Sequence, residues 1–171
     1  RADVLPYAIR SALAQTAQDF ELLIVGDGCT DDTAQVVALF KDPRITWLDL
    51  PKAPGVGYAN RNVALRGARG TFIAYLAHDD IWLPDHLAEL GSLIDETGAE
   101  FVYSRTLSVD LRGRAIPFWY NLEVPRHREG LWRGQSAITL CSVVHTRACL
   151  AKYGFWDDTL LQGGDVAMWH R

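Results

Sequence analysis

The chain has little that would direct it to a lipid bilayer, a nucleic acid or an oxidising compartment. No stretch of 18 or more apolar residues occurs, so nothing reads as a membrane-spanning helix. Lys and Arg number 17 against 21 Asp and Glu, a net charge of −4, and there is no basic run. A charged face for nucleic acid is therefore disfavoured. The three cysteines, Cys29, Cys141 and Cys149, have neither metal-ligand spacing nor the even count of a disulfide framework. That pattern suits a reducing compartment. No signal-peptide pattern, internal repeat or low-complexity segment is visible.

What is present is apolar and periodic. With 171 residues, 49% of them hydrophobic, the chain can bury the core of one domain. Pro6 suits the first turn of a helix that runs on to Thr16. Glu21–Gly26 is a short apolar run ending in glycine, the pattern of a buried parallel strand. Thr30 and Asp31 can cap a helix over Asp32–Phe40. A second strand follows at Arg44–Leu50, a Pro- and Gly-rich loop at Pro51–Gly57, and a helix at Tyr58–Ala68. Thr71–Ala77 is a third strand. The next helix starts at Pro84 and puts Leu87, Leu90 and Ile94 on one face. Glu100–Arg105 is a fourth strand, Ala137–His145 a later one, and Thr146–Tyr153 a short helix. This alternation predicts an α/β fold, a mostly parallel sheet flanked by helices with right-handed crossovers. Residues 106–140 have no clean period and read as a mixed loop and strand region over the site.

Three acidic stretches fall where strands end or helices begin: ELLIVGDGCTDDT at Glu21–Thr33, FIAYLAHDD at Phe72–Asp80, and GGD at Gly163–Asp165. Ligands of open α/β sheets bind outside the carboxyl ends of the strands. Asp27 is either a turn aspartate or a carboxylate that accepts a nucleobase N–H, with Gly28 leaving the approach open. Asp79 and Asp80 repel one another as neighbours, and a divalent cation would relieve that. Otherwise they cap the helix at Pro84. Asp165 is a helix cap, a general base, or both. His145 alternates on a strand and reads first as a structural histidine. Trp119 and Trp132 are either a sugar platform or core packing.

Four segments in order resemble the family 2 glycosyltransferases, whose fold is the GT-A (Rossmann-like) nucleotide-diphospho-sugar transferase fold. AIRSALAQT at Ala8–Thr16 is similar to that family's S-x-L-x-Q-T helix. ELLIVGDGCTDDT matches E-I-I-V-D-D-G-S-x-D-x-T, and GTFIAYLAHDDIWLPDHL at Gly70–Leu87 matches G-x-Y-I-x-x-L-D-x-D-D-x-x-x-P-x-x-L. Gly164-Asp165 with Trp169 resembles the acidic segment before the family's last catalytic helix. The resemblance implies an inverting, metal-assisted transfer of a sugar from a nucleotide-diphospho-sugar, UDP by default, to a hydroxyl of a glycan, lipid or other acceptor. It implies roles by position. Asp165 would be the catalytic base. Asp27, His78 and Arg61 would bind the nucleotide, with Asn62 beside Arg61. Asp79 and Asp80 would hold Mn2+ or Mg2+. Residues 1–105 would form the nucleotide-sugar-binding part and 106–171 the acceptor-side part of one domain. The implied setting is cytoplasmic, peripheral to the inner membrane face, in polysaccharide or glycoconjugate synthesis.

The departures are specific. Gly26 and Ala77 stand where the family usually has aspartates, and Cys29 where it has serine. No counterpart of the family's first strand, with its P-x-Y-N ending, precedes Arg1, so a fragment lacking that central strand and the C-terminal end is expected. Three alternatives stay open: a non-catalytic nucleotide-sugar-binding module, a sugar-phosphate nucleotidyltransferase, and a plain doubly wound binding domain.

Overall fold

The computed structural model describes residues 1–171 apart from 119 and 135–137. Its first half follows the expected alternation. Helix α1 (Leu5–Leu13) carries proline in its first turn and buries Leu5, Ala8, Ile9 and Ala12. Strand β1 (Leu22–Asp27) pairs in parallel with β2 (Ile45–Leu50), and α2 (Thr33–Ala38) crosses between them. Leu5 and Ile9 of α1 and Val37 of α2 pack on Leu22, Ile24, Ile45 and Trp47, covering one face of this ribbon.

Helix α3 (Tyr58–Gly67) leads to β3 (Phe72–Ala74), and α4 (His86–Thr97) leads to β4 (Phe101–Tyr103). Strand β7 (Val143–Thr146) lies between β3 and β4 and runs against both. β3 and β4 are therefore parallel to one another, as βαβ units require, with one antiparallel strand inserted between them. The apolar period of β7 matches the expected late strand. The direction in which a strand enters a sheet leaves no trace in that period. A 3-10 turn at Leu140–Ser142 replaces the expected beginning of this strand, and Ala137 lies outside the described residues.

Leu90 and Ile94 of α4 pack on Val102 and Val144, closing one face of the three-stranded piece. A second cluster joins Tyr58 and Leu65 of α3 to Ile73, Tyr75, Leu150, Trp156 and Met168. It ties helices α6 (Ala148–Tyr153) and α7 (Gly164–Trp169), from the second half of the chain, to the first half. The unpatterned middle holds a two-stranded hairpin, β5 (Leu107–Val109) with β6 (Ala115–Pro117), and helix α5 (Pro125–Trp132).

The sheet is thus in two pieces, β1–β2 and β3–β7–β4. Between β1 and β3 lies a cleft of about 950 Å³, lined by apolar side chains such as Ile24 and Ile73 and, near the strand ends, by Asp27, Arg61 and His78. The side chains of β1 are only half-buried along most of its length because one edge faces this cleft.

Candidate active site

The site gathers at the carboxyl ends of β1 and β3. Asp27 closes β1, and its carboxylate is heavily engaged. Oδ1 accepts the Ala53 N–H at 2.8 Å and the Asn60 amide at 2.7 Å, and Oδ2 accepts Lys52 Nζ. Burial raises the affinity of this carboxyl for its proton, but the hydrogen bonds from Lys52, Ala53 and Asn60 outweigh it, and the pKa is held below the ordinary aspartate value. Three of a carboxylate's roughly four acceptor positions are thereby filled. Gly57 is pressed against the same group, since a Cβ there would lie 2.9 Å from Oδ2. Gly28 has φ +66°, and a Cβ on it would meet the Lys52 backbone at 2.7 Å. Only glycine fits that turn. Lys52 and Asn60 were not singled out from sequence. The Pro- and Gly-rich loop beside them was the available signal, since such loops are pinned by whatever polar group they cross.

Gly26 has a packing reason. A Cβ there would sit 2.4 Å from the Trp47 ring of the neighbouring strand. The indole fills the space that an aspartate side chain would need.

Arg61 points along the cleft from α3. Its guanidinium carbon lies 4.4 Å from the centre of the Trp156 ring and 5.5 Å from that of Tyr58. Burial lowers its pKa, opposed by the neighbouring Tyr75, Tyr58 and Asp165. Among the described residues its side chain makes no hydrogen bond to a carboxylate. Asn62, one position on, turns the other way. It is buried, donates to the Trp156 carbonyl at 2.8 Å and accepts the Trp156 N–H at 3.0 Å. The expected place of Asn62 beside a nucleotide is corrected accordingly: it is a clamp that sets Trp156 under Arg61.

Beyond β3, His78 lines the cleft, and its Nε2 lies 3.7 Å from Asp79 Oδ2. Asp79 is exposed. Asp80 lies against Cys141, where burial first and this carboxylate second push the thiol up to about 12. Among the described residues no three His, Cys, Asp or Glu side chains converge as a metal cage. Mg2+ and Mn2+ typically take only one or two carboxylates and complete their shell with substrate phosphate oxygens. Asp79 fits that partial arrangement.

Asp165 sits in the first turn of α7 and is half-buried. Its position depends on Gly164, whose N–H donates to the Tyr58 hydroxyl at 2.8 Å and whose Cα lies against the Tyr58 ring. A Cβ at this position would come within 2.4 Å of that ring. Tyr58 in turn stacks on Trp156, with centroids 5.5 Å apart and planes 7° from parallel. Arg61, Trp156, Tyr58 and Gly164 therefore form one chain of contacts ending at Asp165.

His145 is structural. It is buried in β7, with Nδ1 2.8 Å from the Thr146 carbonyl and Nε2 2.9 Å from the Tyr75 hydroxyl. This fixes the tautomer, with Nδ1–H donating to the carbonyl and Nε2 accepting from the phenol. Burial lowers its pKa and keeps it neutral. Trp132 is 60% exposed and packs on His170, with centroids 5.0 Å apart. Trp119 lies outside the described residues.

The carboxyl edge of an open α/β sheet is where such domains bind their ligands, and comparison with known proteins narrows the class. The family model for glycosyl transferase family 2 matches residues 1–145, and the chain belongs to that family. The succinoglycan biosynthesis protein ExoO of Rhizobium meliloti (strain 1021) is 36% identical over 125 residues, which are 73% of this chain and 36% of that protein. The UDP-Glc:alpha-D-GlcNAc-diphosphoundecaprenol beta-1,3-glucosyltransferase WfgD of Escherichia coli is 40% identical over 96 residues, 56% of this chain and 38% of that protein. The chain thus spans little more than a third of the length of either relative. Among solved structures, S. aureus TarS 1-349 in complex with UDP superposes with a TM-score of 0.79 at 22% identity, covering 97% of this chain and 50% of that one. The Pyrobaculum calidifontis mannosyltransferase PcManGT, in complex with GDP-Man and Mn2+, superposes with a TM-score of 0.70 at 15% identity, covering 98% and 47%. The fold is that of the GT-A glycosyltransferases.

Proposed function

We propose that this chain carries the donor site of an inverting, metal-assisted glycosyltransferase that moves a sugar from a nucleotide diphosphate, UDP by default, to an acceptor hydroxyl. The observation that carries this reading is Arg61. This half-buried guanidinium lies over the Trp156 ring, and among the described residues no carboxylate is hydrogen-bonded to it; Asp165 acts on it only through space, which leaves its donors open to an anion. It opens on the same cleft as Asp27 and His78. Family membership and relatives that act on UDP-glucose or bind UDP support the donor class.

In this reading the last acceptor position of Asp27 takes an N–H of the base, and His78 contacts the ribose. Arg61 offsets the diphosphate charge. Asp79, with Asp80 beside it, would hold a divalent cation, which when bound neutralises charge developing on the leaving diphosphate. Asp165 removes the proton from the acceptor hydroxyl as that oxygen attacks the anomeric carbon, opposite the leaving group. The acceptor is a glycan, lipid or other hydroxyl compound of polysaccharide or glycoconjugate synthesis, as the name of ExoO supports. The setting is cytoplasmic and peripheral to a membrane. No helix among the described residues is long and apolar enough to cross one. The apolar stretch of the cleft, between Ile24 and Ile73, would take a further strand, for which the open edges of β1 and β3 are the support, and the donor would occupy the end lined by Asp27, Arg61 and His78.

The test is calorimetric titration of UDP, dTDP and GDP, each with and without Mn2+, on the protein and on Arg61→Ala, followed by donor turnover. One nucleotide binding in the wild type and weakening at least tenfold in Arg61→Ala supports the donor site. Binding of none overturns it. Binding without turnover leaves the non-catalytic module. Release of diphosphate from a nucleoside triphosphate and a sugar phosphate would point to the nucleotidyltransferase.

A further inference from the structure

We propose that the β5–β6 hairpin is a docking element for an anionic lipid surface. In the register of this ribbon, Leu107 faces Pro117 and Val109 faces Ala115. Side chains alternate across a strand, so these four share one face, and all four are exposed. Leu111 stands fully exposed at the tip, and Ile116 is half-exposed on the opposite face. An isolated two-stranded ribbon is marginal in water unless a hydrophobic face is covered. Nothing among the described residues covers this one.

Charge identifies the partner. The segment 105–133 holds six arginines against Asp110, Glu123 and Glu129, a balance of +3, whereas the whole chain is −4. The rest of the chain is therefore −7, so basic charge is concentrated in the sequence segment that holds the ribbon and α5, and the stretch 105–117 alone carries Arg105, Arg112 and Arg114 against Asp110. At the tip, Asp110 is consumed. Its Oδ1 accepts the Arg112 and Arg114 N–H groups at 2.9 Å, and its Oδ2 accepts Arg114 Nε at 2.7 Å. Arg112, beside Leu111, is exposed. Apolar side chains flanked by unneutralised arginine are the combination that binds the interface of an anionic bilayer, by partial insertion plus attraction to headgroups. A protein partner with an apolar groove would not require the arginines, and a second copy of this chain would bring its own positive ribbon against the first.

The test is flotation of the protein with phosphatidylglycerol vesicles and with neutral phosphatidylcholine vesicles. Binding is expected to the anionic vesicles only, falling as salt rises. Arg112→Gln should weaken it about fivefold, the effect of one basic residue at such a surface. Leu111→Ser should weaken it about tenfold, from loss of one inserted leucine. Both positions are exposed, so melting temperatures should not move, and Lys41→Gln on another surface should bind as wild type. Equal binding to both vesicles, no binding, or full binding by both hairpin variants overturns the proposal. A concentration-dependent dimer lost in Leu111→Ser also overturns it, because the ribbon would then be a self-association face. Nucleotide binding is unaffected in every case, so failure here does not touch the donor site.

Discussion

At the end of β1 the carboxylate of Asp27 accepts hydrogen bonds from Lys52, Ala53 and Asn60, whereas beyond β3 the carboxylate of Asp79 is exposed and lies 3.7 Å from His78 Nε2. Asp27 is the last residue of β1, and Asp79 lies in the loop that follows β3. The first is organised before any ligand arrives. Its donors fix the 51–57 loop and leave one acceptor direction for recognition. The second is unfinished as a protein site, and its chemistry is completed only by what binds. A preorganised group contributes to stability as well as to binding. A waiting group contributes to binding alone. Asp165 shares features of both: its own carboxylate is not hydrogen-bonded among the described residues, but the backbone that carries it is locked by Tyr58.

That division ranks the consequences of mutation. Asp165→Asn should have the largest effect. It removes a general base while keeping size and hydrogen bonding, so kcat should fall about 10³-fold with the melting temperature and nucleotide affinity unchanged. An equal loss of nucleotide affinity would place Asp165 among the binding groups instead. Gly164→Ala follows. The new Cβ would lie 2.4 Å from the rigid Tyr58 ring, which is itself stacked on Trp156. A cost of about 3 kcal/mol in denaturant unfolding is expected, together with lost turnover, because α7 must move to relieve the clash. Asp27→Asn should cost about 2 kcal/mol at neutral pH through its three donors. Here the sign of the pH dependence is fixed. The folded carboxyl is held below its unfolded value, so its stabilisation is full above about pH 5 and disappears as pH falls through the unfolded value and then the folded one. Urea midpoints of wild type and variant should therefore converge once the pH falls below the folded carboxyl's lowered pKa. A constant gap would mean that packing at Gly57, rather than charge, holds the loop.

The legible part of this fold was its period. Strands β1, β2, β3 and β4 and helices α1 to α4 follow from apolar spacing and proline and glycine punctuation; Asp27 closes β1 and Asp165 opens α7, while β3 stops at Ala74, short of the expected Ala77, and leaves Asp79 in the loop beyond it. Three things were not legible, each for a physical reason. The antiparallel entry of β7 is a matter of chain path, which side-chain alternation does not record. The β5–β6 hairpin exposes apolar residues on both faces, so it lacks the alternation of a half-buried strand and reads as irregular. The roles of neighbours also depended on rotation about a helix. Arg61 and Asn62 are adjacent in sequence, yet about 100° of helical turn sends one toward the cleft and the other into the core. Gly26 was visible as a departure, but its cause lay in Trp47 on another strand.

Asp79→Ala is the finest test of the contrast with Asp27. The side chain is exposed and makes no hydrogen bond among the described residues, so unfolding in urea should be unchanged within about 0.5 kcal/mol. Nucleotide affinity without metal should also be unchanged or slightly stronger, because a negative charge near the diphosphate has been removed. With Mn2+ present, the wild type should bind the nucleotide about tenfold more tightly than the variant, and titration of the metal itself should lose its nucleotide-dependent heat. If Asp79→Ala instead weakens binding equally with and without Mn2+, the carboxylate positions the nucleotide directly. If it leaves the metal effect intact, Asp80 holds the cation and must turn away from Cys141 to do so. That turn would relieve the thiol of a neighbouring negative charge, and metal loading would then lower the pH at which Cys141 reacts with an alkylating reagent.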